Sequence, residues 1–287
     1  MAGKISVKKI WGAAFDTMVK RPIVLLPFVI IAFIEALALE FIYFSNRPPL
    51  SLIAGPIISK LSGEIFLHYP FNLAKIPRYF FYVQLLTYIL AGIALSAITV
   101  NMVRNIKGGL PLKTGALVKN ALRRYGAFAI YGVIAVALMF GLRELDVFAY
   151  GRLVRLLAKN LQVISPMLYS FGMSVFYFFT SLVMHTFFVM VIPIMVIEKK
   201  SLLKGLFGSM GMGLRRFLSI IVMIFIPYAL YFPITMLKSY AAEFSTKLFP
   251  EVTLYILGVG ILAAIFVDCF VVVCATYFLL GKDEVSA

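Results

Sequence analysis

The sequence predicts an all-α polytopic membrane protein, with six transmembrane helices in three hairpins and an amphipathic interfacial helix ahead of each hairpin. Six long apolar runs carry most of that prediction: residues 22–44, 79–103, 125–142, 166–197, 217–237 and 252–280. Each is at or near the ~20 residues that a helix needs to cross a ~30 Å hydrocarbon layer. Composition agrees, since 62% of the 287 residues are hydrophobic and mean hydropathy is +1.00. A soluble domain is only about 45–50% apolar. Lys and Arg cluster in the stretches between the runs. Inside lipid only helices and closed barrels satisfy their backbone polar groups, and unbroken apolar runs lack a barrel's period-two alternation. No polar stretch is long enough for a separate soluble domain, so residues 1–287 read as a single membrane domain.

The first element is a basic elbow, residues 11–21, in which small and apolar residues lead to Lys20 and Arg21. The run after it is too long for a signal-peptide core and is interrupted by Glu35 and Glu40. No small-x-small cleavage site follows, so a retained anchor is expected. Residues 46–78 contain Pro48, Pro49, Pro56, Pro70 and Pro77, which are expected to deny that segment a long helix. Its apolar patches, 52–58 and 65–71, are expected against headgroups. A second elbow, 114–124, ends at Arg123 and Arg124, and a third, 206–216, at Arg215 and Arg216.

Aligned on the basic pairs, all three elbows place an aliphatic residue just before the pair and small or apolar residues further upstream. An interfacial helix buries its apolar side while Lys and Arg reach phosphate. The pattern fits three pseudo-symmetric hairpins, and equally the shared demands on any span that follows an interfacial helix. Before the fourth run, Arg152, Arg155 and Lys159 recur at helical spacing opposite Leu153, Leu156, Leu157 and Leu161. That spacing predicts a further interface-hugging helix over 150–164. Pro27, Pro193, Pro227 and Pro233 predict kinks, either as a hinge opening toward lipid or as static curvature. In the last run, Cys269 and Cys274 are five residues apart, on different helix faces, and cannot bridge each other.

Net charge is +15, from 27 Lys+Arg against 12 Asp+Glu. Because the cations border apolar spans, anionic membrane lipid is the expected partner and nucleic acid is not. Lys20, Arg21, Arg123, Arg124, Arg215 and Arg216 are the candidate headgroup contacts. With a cytoplasmic N-terminus, inside segments carry 17 Lys/Arg and outside segments 10. The positive-inside rule therefore places both termini in the cytoplasm, in a cytoplasmic (inner) membrane.

Ionisable residues deep in a span are costly to insert and are functional candidates by default. Glu35 in the first run, His185 in the fourth and Asp268 in the sixth are such residues. If spans one and six are neighbours, Glu35 and Asp268 can face one another and share a proton or a cation. The structural alternative is hydrogen bonding to Ser, Thr or Tyr on an adjacent helix. Glu198 sits at a membrane boundary beside Lys199 and Lys200, placed for a local ion pair or for capping the next helix. No catalytic motif, cofactor cradle or metal ligand set is present. Ser6-Val7-Lys8-Lys9 and Ser201-Leu202-Leu203-Lys204 lack the companion motifs of acyl-transfer enzymes. The stretch 208–213 follows no strand and has no P-loop lysine. Two histidines, His68 and His185, do not make a zinc site.

The stretch Pro193-Ile194-Met195-Val196-Ile197-Glu198, followed by Gly205 and Ser209, resembles the membrane domain attached to some bacterial glycerophosphodiester phosphodiesterases. That domain also occurs alone as six-span inner-membrane proteins, and residues 9–22 resemble its opening helix. The resemblance implies fold and membrane. It does not imply hydrolysis, which in that family belongs to a separate soluble barrel. Pro193, Glu198 and Ser209 carry the motif. Where the family usually has alanine this chain has Gly205, and Gly208, Gly211 and Gly213 are expected to loosen the third elbow.

The expected function is a non-enzymatic, lipid-interacting accessory in envelope or lipid homeostasis. The alternative is a small transporter or permease using Glu35 and Asp268, and the third possibility is a membrane-embedded lipid enzyme.

Overall fold

The computed structural model describes residues 6–158, 166–241, 243–244 and 249–283. Among them there is helix and no strand. The elements are α1 (Val7–Lys20), α2 (Leu26–Phe44), α3 (Ser51–Ser62), α4 (Phe71–Thr87), α5 (Ile93–Lys107), α6 (Thr114–Leu122), α7 (Tyr125–Ala158), α8 (Pro166–Phe188), α9 (Val191–Ile197), α10 (Leu202–Arg215), α11 (Phe217–Ser239) and α12 (Val252–Asp283). A 3₁₀ turn, Pro22–Leu25, leads into α2, and a π-helical turn, Tyr88–Gly92, joins α4 to α5.

Six helical stretches are long and apolar enough to cross a membrane: Pro22–Phe44, Phe71–Lys107, Tyr125–Leu156, Leu168–Ile197, Phe217–Ser239 and Val252–Gly281. Their side chains point mostly outward, since no more than 44% of any apolar window is buried. That much outward apolar surface in water would be an aggregation site; in hydrocarbon it is the solvated face. The protein is a multi-pass helical membrane protein.

Two boundaries differ from expectation. The third span runs on as one helix to Ala158, because residues 143–158 hold good helix formers and no proline. Residues 150–158 are therefore the projecting end of α7 and not a separate interfacial helix; 159–165 lie outside the described residues. In the proline-rich segment, α3 and α4 accommodate Pro56 and Pro77 inside helices. Each proline costs one backbone bond, and here that loss does not end the helix. Leu52, Ile53 and Ile57 of α3 are exposed. The Tyr69 hydroxyl donates to Glu251 at 2.9 Å and ties the first hairpin's connecting segment to the third's. That bond holds the Tyr69 phenol above its ordinary pKa.

The three hairpins close into a ring. The outgoing spans are α2, α7 and α11, and the return spans are α4–α5, α8–α9 and α12. Neighbouring hairpins meet through α5 with α7, α8 with α11, and α12 with α2. The return spans also touch one another, α5 with α9 and α12, and α9 with α12. They form the inner layer: 44, 44 and 33% of their apolar windows is buried, against 28, 17 and 22% for the outgoing spans. Each elbow helix packs on the return span of the hairpin before it: α6 on α5, α10 on α8 and α9, and α1 on α12. The last contact joins the chain's beginning to its end. The threefold pattern in the sequence thus corresponds to a cyclic pattern of contacts.

The elbows pack through residues at helical spacing: Ile10, Ala14 and Met18 in α1, Leu117 and Ala121 in α6, and Gly205, Ser209 and Gly213 in α10. The largest core cluster lies at this end, joining α1 and α6 to Val24, Phe28, Met102, Ile194, Ile220 and Phe278. A smaller cluster at the opposite end contains Leu39, Leu73, Ile76, Phe80 and Leu257. Cys269 and Cys274 are free and buried.

The glycines of the third elbow do not loosen it, because α10 is continuous from Leu202 to Arg215. They allow close approach instead. A Cβ at Gly205 would meet Met195 Cγ at 2.8 Å, and one at Gly213 would meet Phe187 Cδ1 at 2.8 Å and Thr186 O at 3.2 Å. Between them, Ser209 Oγ donates to Phe187 O at 2.6 Å. Small residues four apart let two helices touch through backbone, as they do at membrane helix interfaces. Gly211 faces open space. Gly213→Ala should therefore destabilise the protein by about 1–3 kcal/mol through overpacking. Gly211→Ala should stabilise it by up to about 1 kcal/mol through helix propensity. Thermal unfolding in detergent separates the two; equal shifts would contradict the packing described.

Candidate functional site

Between the two core clusters the spans part around a cavity of about 380 Å³. All six spans contribute to its wall, with Glu35 from α2, Tyr131 from α7, His185 from α8, Tyr228 from α11 and Asp268 from α12. The second span contributes Tyr88 and Gly92 of the π-helical turn together with Ser96 of α5. The three ionisable residues singled out in the sequence therefore meet at one place.

Two helix interruptions make the room. Pro193 has no N–H for the Val189 carbonyl and its ring crowds that position, so the fourth span breaks at 189–190, between α8 and α9. His185 and Phe188 lie on the cavity side of that break. The π-helical turn in the second span widens the helix by one residue and leaves a carbonyl without its usual partner. Tyr125 Oη donates to Leu90 O at 2.8 Å and supplies one. Tyr131 Oη donates to Phe188 O, at 3.2 Å, at the other interruption.

The polar groups are unequally satisfied. Glu35 is buried and accepts a 2.8 Å hydrogen bond from Gln84 Nε2 on α4. Asp268 is exposed to the cavity, and among the described residues no hydrogen bond or ion pair holds its carboxyl. Lys238, in the last turn of α11, acts electrostatically on both carboxyls. It turns inward because Gly260 on α12 leaves room for its stem, and its ammonium donates to Tyr231 Oη at 3.0 Å. Tyr231 Oη in turn donates to Gly260 O at 3.3 Å. His185 Nδ1 lies 2.9 Å from Ser181 O. A carbonyl only accepts, so Nδ1 carries the proton and Nε2 is the accepting nitrogen of the neutral ring. The imidazole packs on the Tyr228 ring at 5.1 Å between centroids. Lys238, Gln84 and the tyrosines were not anticipated from sequence. A further unanticipated acid, Asp146, is buried and accepts from Thr180 Oγ1 at 2.7 Å, linking α7 to α8.

The basic pairs divide into two kinds. Lys20, Arg21, Arg123 and Arg215 are exposed, and Lys20 pairs with Asp16 at 2.8 Å. Arg124 differs from these in spending its guanidinium on the fold. Its guanidinium donates to Met195 O at 2.7 Å, Lys199 O at 3.2 Å and Lys200 O at 3.4 Å, capping the end of α9. Arg216 lies over the Phe278 ring, 5.8 Å from its centroid. Glu198 pairs with Lys200 at 2.5 Å, and Ser201 rather than Glu198 occupies the N-cap of α10.

Chemically, the cavity offers two carboxyls, one imidazole nitrogen, three tyrosine rings and the Ser96 hydroxyl in a wall that is otherwise apolar. Carboxylates and ring faces together suit a cation. Among the described residues there is no group of three or more His, Cys, Asp and Glu that would hold a metal ion. Gln84→Leu should leave the Glu35 carboxyl buried without its donor, costing about 1–3 kcal/mol. Thermal unfolding should register that loss, and the loss should shrink in a Glu35→Leu background, as a double-mutant cycle requires. Comparison of the chain with family models, curated proteins and solved structures found no match.

Proposed function

We propose that the protein is a small transporter or permease whose substrate site is the intramembrane cavity, and that the substrate is a small organic cation. The observation carrying this reading is that Glu35, Asp268 and His185, from three different spans, line one cavity where two spans are interrupted. Interrupted spans that line a polar midplane site are the usual architecture of secondary transporters. Asp268, whose carboxyl takes no hydrogen bond or ion pair among the described residues, is the group that meets the cation, and Tyr88, Tyr131 and Tyr228 offer ring faces to it. Glu35, held by Gln84 and facing Lys238, balances charge within the cluster.

A second reading has its own support. Exposed Lys20, Arg21, Arg123 and Arg215 lie beside exposed apolar residues of the elbows, Phe15, Leu122, Phe207 and Leu214. An amphipathic helix at an anionic leaflet presents that combination. It favours a lipid-contacting role, the elbow end in the cytoplasm and residence in a cytoplasmic membrane. The two readings are compatible, since a transporter also needs its depth and direction set.

Proteoliposomes with an imposed pH gradient test the transport reading, using methylammonium through tetraethylammonium as probes. Saturable uptake of at least one probe is expected. Asp268→Asn should cut it roughly tenfold or more, the scale of one lost charged contact in a low-dielectric site. Glu35→Gln should lower it as well. Wild-type uptake in the folded double variant, or no saturable uptake of any probe, would reject the proposal.

A further inference from the structure

A second cavity, of about 820 Å³, lies at the elbow end between α5, α6 and the end of α9. Five cationic residues line it: Arg104, Lys113, Arg123, Arg124 and Lys199. No carboxylate stands in its wall, and among the described residues Arg104, Lys113, Arg123 and Lys199 make no ion pair. Three amides, Asn101, Asn105 and Asn120, complete the polar lining. Among the described residues Asn101 alone of the three spends its side chain on the fold, donating to Ala97 O at 3.2 Å.

Like charges around one volume repel, and the repulsion grows where protein displaces water. A fold that only needed solubility would spread such cations or pair them. Here Arg124 is fixed by its three backbone hydrogen bonds, and two more of the five are placed by the fold. Arg104 is half-buried on the last turns of α5. Lys199 has φ of 53°, the left-handed region, just past the end of α9, where its own carbonyl accepts from Arg124. A lysine in that conformation costs stability that a glycine would not, and it sets this residue at the cavity rim.

The geometry points to this cavity as a binding site for a phosphate-bearing anion, distinct from the intramembrane cavity and independent of the transport reading. Guanidinium forks and ammonium groups meet phosphate oxygens in charge-assisted bonds, and the amides of Asn105 and Asn120 add neutral donors. The volume falls within the roughly 300–1,000 Å³ of small-molecule sites and exceeds what one phosphate fills. The ligand therefore carries an organic group beside its phosphate. A phospholipid headgroup and a soluble phosphorylated compound share that chemistry.

Binding to delipidated protein in neutral detergent distinguishes the two sources. The probes are pyrophosphate, with chloride at equal ionic strength as control, and dioctanoyl phosphatidylglycerol, with dioctanoyl phosphatidylcholine as control. A saturable rise in melting temperature is expected with at least one probe and with neither control. Arg104→Gln and Lys113→Gln should each weaken that binding roughly tenfold. Lys60→Gln, on α3 and away from the elbows, should not change it. A response to phosphatidylglycerol alone assigns a lipid headgroup, and a response to pyrophosphate, with or without the lipid, assigns a site open to soluble phosphates. No saturable response, an unchanged response in Lys113→Gln, or an equal loss in Lys60→Gln would overturn the proposal. Lys113 is exposed, so that variant carries the test if Arg104→Gln fails to fold.

Discussion

Hydrocarbon offers no hydrogen bonds, so every backbone carbonyl that a span fails to satisfy must find a donor elsewhere in the protein. This chain breaks its spans repeatedly, and neighbouring elements answer four of the breaks. Pro227 cannot donate to Met223, and Trp11 Nε1 from the first elbow reaches that carbonyl at 3.1 Å. The last carbonyls of α8 receive Ser209 and Tyr131, the end of α9 receives Arg124, and the π-helical turn receives Tyr125. These side chains come from elbows, from the basic pair after one elbow, and from the outgoing spans. Their long-range bonds fasten the hairpins to one another, so the interruptions become the joints of the ring.

The joints also explain where space remains. Close packing is concentrated at the elbow end, where Ile10, Met102, Ile220 and Phe278 share one cluster. Away from it, the widened turn at Tyr88–Gly92 and the break before α9 hold two inner spans off regular packing. The cavity forms there, and the chain's most expensive residues face it. A carboxyl costs less beside a polar hollow than against acyl chains, which accounts for Asp268 standing there with no hydrogen bond or ion pair among the described residues. Lys238 follows the same logic, reaching inward to Tyr231 across Gly260. In the elbow-end cavity the sign reverses, and among the described residues its wall gathers cations without a carboxylate.

Several of these features were legible in the residues. Glu35, His185 and Asp268 stood out because each interrupts an apolar run. Pro193 and Pro227 announced breaks because proline lacks an N–H. The elbow pattern announced three like units. Other features had no such mark. Gln84 is uncharged and unremarkable in a span until Glu35 is opposite it. Lys238 ends its helix, where a lysine ordinarily turns toward water. Tyr88, Tyr131 and Tyr228 look like the interfacial tyrosines of any membrane protein. Arg124 resembled its neighbour Arg123, yet one caps α9 and the other is exposed.

What the sequence by itself determined is everything that depends on the solvent: helix, six crossings, basic collars, and the expense of each buried charge. Those follow from composition along the chain, because transfer into lipid is a property of each segment alone. Which helices are inner, which carbonyl each side chain answers, and whether three distant charges share a cavity were decided only in three dimensions. Such contacts join residues as far apart as Trp11 and Met223. Their free energy belongs to pairs, and no single position along the chain records its partner.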